Sequence, residues 1–349
     1  MTSNLTRKFL KNCFKNFNTS TEQFRSLGTY KAAVIKEINK PLVIEEKKQK
    51  KLDKNDVRIK VNFCSVNSID CMSFRDATKE LPFVPGYELS GKVVEVGKSI
   101  TTEQLIVGER VAALSLDKFG GFAEECVLNV NDCFRIPTNV STKEAAVLVC
   151  GHSTAVFTFS KLRPPKENER IVISAGSAGL GLAAIDVAAN MFKAKVIAVT
   201  DSEDRSDFMR DRGAFGTLKY TDKLKKDVLS LTDKKGAEIV YDAVGDYLLD
   251  KIGSCVAAGG NIFHAVPVIY KSLPAPPPNT TLTVVSLHAL RENDRELYRC
   301  MITDTLELAH EGIISAHVSA TFKLAEVNEA IDYVESKKCT GKVVIEMET

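Results

Sequence analysis

The chain has 349 residues, 44% hydrophobic and 26% charged, with a formal net charge of +2 and no tryptophan. That length supports about two domains with substantial cores, and the composition is ordinary for a soluble globular protein. A near-neutral body speaks against nucleic acid as a partner, and no apolar run approaches the length of a membrane span.

Residues 1–29 carry Arg7, Lys8, Lys11, Lys15 and Arg25 against Glu22 alone, and place Leu5, Phe9, Leu10, Cys13, Phe14 and Phe17 at helical spacing. A basic amphipathic opening without a continuous apolar core reads as an organelle transit peptide rather than a secretory signal. The mitochondrial matrix is therefore the expected location, with a cytoplasmic protein carrying a basic tail as the alternative.

From Tyr30 to Cys150 the chain consists of short β runs: KAAVI, PLVIEE, DVRIKVNF, SGKVVEV, ERVAAL and FAEECVL, separated by polar or glycine turns. This predicts a β-rich domain of barrel type over 30–150. The lysine-rich patch from Glu45 to Lys54 reads as a solvated hairpin loop, because acids interleave its lysines and aromatics are absent.

Residues 151–287 change to α/β alternation. Ile171-Val172-Ile173 is a short apolar strand, broken by Gly176, Gly179 and Gly181, and followed by a helix from Leu180 to Phe192 that is apolar on nearly every face. A second strand, Ala194 to Val199, closes a βαβ unit. The turn from Gly176 through Ser177, Ala178, Gly179 and Leu180 to Gly181 resembles the G-x-G-x-x-G pattern, with Ala178 in the second glycine's place. Amides at such a helix start, together with its dipole, receive a pyrophosphate. At the end of the second strand stand Asp201, suited to a ribose hydroxyl, and Arg205, suited to a 2′-phosphate, so spacing alone leaves NAD against NADP open.

The alternation continues through a helical LKKDVLSL, a strand AEIVYDAV, a helical YLLDKIGSCV and a strand NIFHAV to about Leu287. The segment Ser272–Thr281 is too proline-rich for helix or central strand. Over 288–349, helical periodicity at Asp294–Glu311 and Lys323–Ser336 precedes a final strand, KVVIEM. Nine cysteines and five histidines include no C-x-x-C pair and no set at metal spacing, and no serine sits in a G-x-S-x-G elbow.

The motifs NSIDCMSFR, LPFVPGYELSGKVVEVG, VGERV, GGFAEECVL, AAVLVCGHSTA, VYDAVG and GKVVI, in this order around the glycine turn, resemble the medium-chain dehydrogenase/reductase superfamily, and among its members the quinone oxidoreductase branch. The resemblance implies a GroES-like catalytic domain, a Rossmann doubly wound parallel sheet, a cleft between them, and a last segment returning to the catalytic domain. It also implies a homodimer. Where alcohol dehydrogenases of this superfamily place a cysteine and a histidine on zinc, this chain has Asn67 and Tyr87, so no metal is expected.

By the same resemblance Asn67 faces the nicotinamide ribose or substrate, Asp70 braces the turn, and Thr154 lies beside the nicotinamide. Arg205 and Tyr220 stand where relatives bind the 2′-phosphate, favouring NADPH over NADH, whereas Asp201 replaces a usual glycine. Around the substrate the chain departs from the branch: Arg75 is followed after five residues by Leu81, a shortened loop without the branch's tyrosine, and His152 stands where close relatives carry no histidine. Tyr87 and His152 are the candidate catalytic groups beside Asn67, His152 as a proton donor at neutral pH. The expectation is a zinc-independent NADPH-dependent reductase acting on a quinone, enone or related conjugated carbonyl. A non-catalytic NADPH-binding or scaffold protein derived from such a reductase is the alternative.

Overall fold

The computed structural model describes residues 28–73, 75–76, 78, 80–174, 179–245, 247–266 and 273–348. Residues 1–27, with most of the expected transit peptide, lie outside the described residues, as do Gly176, Ser177 and Ala178.

The β runs of the first domain become β1 (Thr29–Val34), β2 (Val43–Lys48), β3 (Asp56–Val66), β4 (Glu88–Val96), β5 (Arg110–Leu114), β6 (Glu125–Asn129) and β7 (Cys133–Arg135). β1 and β2 form an antiparallel pair, joined to the rest by isolated bridges at Ala32–Ala123 and Ile35–Phe83. The lysine-rich patch is thus not wholly a loop. Glu45 to Lys48 are strand, and their exposed and half-buried positions show why charge is tolerated there.

The second domain holds β8 (Arg170–Ser174), β9 (Lys195–Thr200), β10 (Ala214–Lys219), β11 (Ala237–Asp242), β12 (Val256–His264) and β13 (Thr281–Val284). They form one parallel sheet in the order β10-β9-β8-β11-β12-β13, reversing direction of travel between β8 and β11. This is the doubly wound Rossmann order, and its reversal point opens a crevice at the strands' carboxyl ends. The strands Ile171–Ser174 and Val196–Thr200 are buried throughout, which explains their unbroken apolar reading. The helix after the glycine turn begins at Gly179, runs as α-helix to Asp186 and ends in a π turn, Val187–Met191. From Gly181 to Ala188 it is buried on every side.

Several elements differ from the expectation. β12 starts at Val256, ahead of Gly259-Gly260, and its pairing with β11 shifts register across those glycines. β13 follows the proline-rich segment, and the helix Leu287–Asn293, capped by Ser286, precedes Arg295–His310.

The last segment adds β14 (Val318–Lys323) and β15 (Lys342–Glu346), with the helix Val327–Glu335 between them. Both strands join the first domain's sheet, in the order β14-β15-β3-β4-β5-β7, with β6 also on β3. Val343, Ile345 and Met347 fill the same core as Val57, Ile59 and Leu89. A second core spans the domains, packing Tyr87, Phe119 and Phe134 with Ile173, Val196 and Tyr241. This shared core sets the two walls of the cleft against each other.

Candidate active site

Three neighbouring strands of the first sheet bring their ends to the cleft. β3 leads into Asn67 and the short helix Ser68–Ser73, β4 opens with Glu88, and β15 opens with Lys342. Glu88 is fully buried, and its carboxylate gathers the surrounding donors. Ser65 Oγ donates to Oε2 at 2.5 Å, Asn67 Nδ2 at 3.1 Å and Lys342 Nζ at 2.7 Å, while the Cys150 amide donates to Oε1 at 2.9 Å. Lys342 Nζ also donates to Asn67 Oδ1. Burial works against the Lys342 ammonium, but the Glu88 carboxylate outweighs it, and its pKa stands above the ordinary lysine value.

Asp70 sits beneath this cluster, fully buried, accepting the amides of Asn67 and Gly86 at 2.9 Å each. Gly86 has φ +91°, and a Cβ there would lie 2.6 Å from Phe122, so only glycine makes the turn that aims its amide at Asp70. Asp70 therefore ties two loops together rather than capping one. Burial pushes its carboxyl up to about 7, against the pull of those two amides.

Tyr87 points its hydroxyl at Cys150 Sγ, 3.2 Å away, and packs edge-on to Phe119, which packs edge-on to Phe83. Burial holds the Tyr87 phenol well above its ordinary pKa and the Cys150 thiol up at about 11. At neutral pH both groups keep their protons, so Tyr87 is a donor and not a base.

Thr154, inside the helix Gly151–Phe157, spends its hydroxyl on the Cys150 carbonyl four residues back, at 2.8 Å. His152, on the same helix, stands beside Asp186. Its Nε2 lies 3.3 Å from Asp186 Oδ2, and among the described residues neither ring nitrogen has a hydrogen-bond partner. It lines a small cavity with Gly179, Asp186, Arg212, His317 and Lys342.

Of the glycine turn, Gly179, Leu180 and Gly181 are described, as the helix's first residues. The stem of Lys342 lies against Gly179: a Cβ there would meet Lys342 Cδ at 2.7 Å. An ammonium arm from one domain thus crosses the head of the other domain's buried helix. At the far end of the cleft, Asp201 follows β9, and Arg205 Nη1 lies 3.8 Å from Asp201 Oδ1. Arg205 also donates to the Lys337 carbonyl of the return segment. Tyr220 donates its amide to the Thr200 carbonyl at 3.1 Å, which brings it to the same corner.

The structure therefore groups Asn67 with Tyr87, and Asp201 with Arg205 and Tyr220. Glu88, Cys150 and Lys342 were not singled out from the sequence; they stand inside PGYE, VCGH and GKVVI, and nothing local marks them. Among the described residues, no three His, Cys, Asp or Glu side chains cluster to hold a metal ion. With an amide at Asn67 and a phenol at Tyr87, the residues here do not fit a catalytic zinc.

Residues 53–138 match the alcohol dehydrogenase GroES-like domain, and residues 213–345 match a zinc-binding dehydrogenase domain. The quinone oxidoreductase-like protein 2 homolog of Nematostella vectensis is 36% identical over 91% of this chain and 89% of its own length. The Bos taurus quinone oxidoreductase-like protein 2 is 33% identical over 91% of this chain and 93% of its own. The chain belongs to the medium-chain dehydrogenase/reductase superfamily, in its quinone oxidoreductase branch. The fold agrees: Escherichia coli quinone oxidoreductase superposes with a TM-score of 0.82 at 19% identity, covering 91% of this chain and 100% of that one. A mycobacterial protein solved with NADPH gives a TM-score of 0.82 at 25% identity, covering 91% and 99%. As a member of this oxidoreductase family, the chain has its GroES-like and Rossmann walls where the polar cluster and the helix head meet.

Proposed function

We propose that this chain is a zinc-independent, NADPH-dependent reductase that transfers hydride to a quinone, enone or related conjugated carbonyl. The observation that carries the reading is Lys342. A buried ammonium, bonded to Asn67 and Glu88, lies across the first residue of the helix that follows the glycine turn. A helix start and a fixed cation together suit a diphosphate. Arg205 and Tyr220, gathered beside Thr200, suit a 2′-phosphate, and the E. coli and mycobacterial neighbours were both solved with NADPH.

NADPH, when bound, supplies the hydride. The chain's own residues orient and insulate. Asn67, fixed by Ser65, Glu88 and Lys342, presents a rigid amide to the cleft. Tyr87 keeps its proton at neutral pH and neighbours Glu88 of that cluster in the chain, which makes it the first candidate donor, with His152 the second. The Phe83, Phe119 and Tyr87 rings form an apolar wall suited to a flat conjugated acceptor. Steady-state oxidation of NADPH by the full-length protein, against a panel of quinones and enones, tests the reading. Turnover with at least one acceptor, and weaker turnover with NADH, is the expected result.

One observation favours the non-catalytic alternative. The Arg205 guanidinium is already bonded to the Lys337 carbonyl, as in a closed scaffold. Calorimetric titration separates the two: NADPH binding without turnover supports a binding protein, and absence of binding to either dinucleotide removes the reductase and leaves only a scaffold role. The basic opening segment supports a mitochondrial address, which mass spectrometry of the amino terminus from native cells would check.

A further inference from the structure

The strands β8, β11 and β12 lie side by side in the parallel sheet, and each ends in a buried polar side chain: Ser174, Asp242 and His264. All three are at most 1% exposed. Ser174 Oγ donates to Asp242 Oδ1 at 2.8 Å and accepts the Ala243 amide at 2.7 Å. The same Oδ1 accepts the amides of Val244 at 3.1 Å and Gly245 at 3.0 Å, and Oδ2 lies 2.7 Å from His264 Nδ1. Gly245, at φ +77°, allows the chain to curl around the carboxylate. The main chain repeats the tie, since the Ala265 amide donates to the Asp242 carbonyl at 2.9 Å.

The serine bonds the aspartate and not the histidine, so this is no nucleophilic relay. The donors hold the Asp242 carboxyl below its ordinary pKa although burial pushes it up. A buried charge of this kind is seldom needed for stability, because apolar side chains of the same volume serve a core as well or better. Its location is the informative fact. The β8/β11 boundary is where strand order reverses, and the loops leaving β8, β11 and β12 start at the strands' carboxyl ends, where the crevice of such a sheet opens.

We propose that Asp242, held by His264 and Ser174, is a positioning residue that fixes the roots of those three loops for the dinucleotide. The inference rests on the reductase reading for the identity of what is positioned. His264→Asn keeps an N–H donor close to the place of Nδ1, whereas His264→Leu keeps bulk and removes the donor. In the full-length protein, NADPH affinity is read by calorimetry, acceptor KM by steady-state kinetics, and exchange of the Ala243, Val244 and Gly245 amides by hydrogen–deuterium mass spectrometry without cofactor. His264→Leu should weaken NADPH by roughly tenfold or more and speed amide exchange, with acceptor KM unchanged, while His264→Asn stays within about threefold of wild type. Equal effects of the two variants, tracking their melting temperatures, would reduce the cluster to core packing and overturn the proposal. If wild type binds no NADPH, the reductase reading fails by itself. Faster exchange in His264→Leu than in His264→Asn would then still support the positioning role, and equal exchange would end it.

Discussion

At the Asn67 end of the cleft, charge is buried and paired across the fold: Glu88 is fully buried and Lys342 shows 11% of its side chain to solvent. At the Arg205 end, Asp201 exposes 61% of its side chain and Arg205 reaches it only at 3.8 Å. The first arrangement is fixed by three strands ending together; the second hangs on one exposed loop and a carbonyl of the return segment. The buried cluster is thus set by sheet register, whereas the Arg205 corner, proposed above to choose the cofactor, is a surface that substitution can alter without disturbing the core.

The largest expected effect tests the buried end. Glu88→Gln leaves the Lys342 ammonium without its carboxylate, which should cost about 3–5 kcal/mol of unfolding free energy. A paired Glu88→Leu, Lys342→Met variant should recover much of that loss in urea unfolding, and a loss below about 1 kcal/mol would mean that water reaches the pair.

Asp70 gives a pH test of the same end. Its folded carboxyl holds its proton up to about 7, against an ordinary value of 3.8. The folded state thus binds more protons between those values, so its contribution is fully present below 3.8 and is lost as pH rises through 7. Over that range wild type should lose on the order of a few kcal/mol relative to Asp70→Asn, seen as a flatter pH dependence of the variant's melting temperature. Parallel curves would show that Asp70 is not cut off from solvent.

The smallest effect belongs to the exposed end. Arg205→Ala should weaken NADPH by about 1–2 kcal/mol, or five- to thirtyfold, and leave NADH affinity in place. Equal loss for both dinucleotides in calorimetry would place the guanidinium's role in holding Lys337 instead.

The sequence carried the βαβ unit and the β runs of the first domain because those signals are local. Ile171 to Ser174 are apolar in a row since both sheet faces are covered, and glycines mark the turn. β13 and β14 escaped because TLTV and VSATFK are half-exposed edge strands whose pairing depends on distant partners. The site divides in the same way. Asn67, Tyr87, Arg205 and Tyr220 were legible through motif resemblance, whereas Lys342 meets Glu88 across 254 positions of chain, and no local pattern encodes that meeting. His152 was legible as an unusual residue but not in direction, because the side on which a helix residue faces depends on packing against Asp186.

The return of the chain to its first sheet has a consequence for assembly. β15 pairs with β3, and β14 extends that sheet further, so two strands of the first domain's sheet are synthesised only after the whole Rossmann half. Until Val343 and Ile345 emerge, the edge of β3 and the apolar face beneath it have no cover. The Rossmann half, whose strands are all contiguous in the middle of the chain, can fold first and hold the unfinished barrel in place while its closing strand arrives.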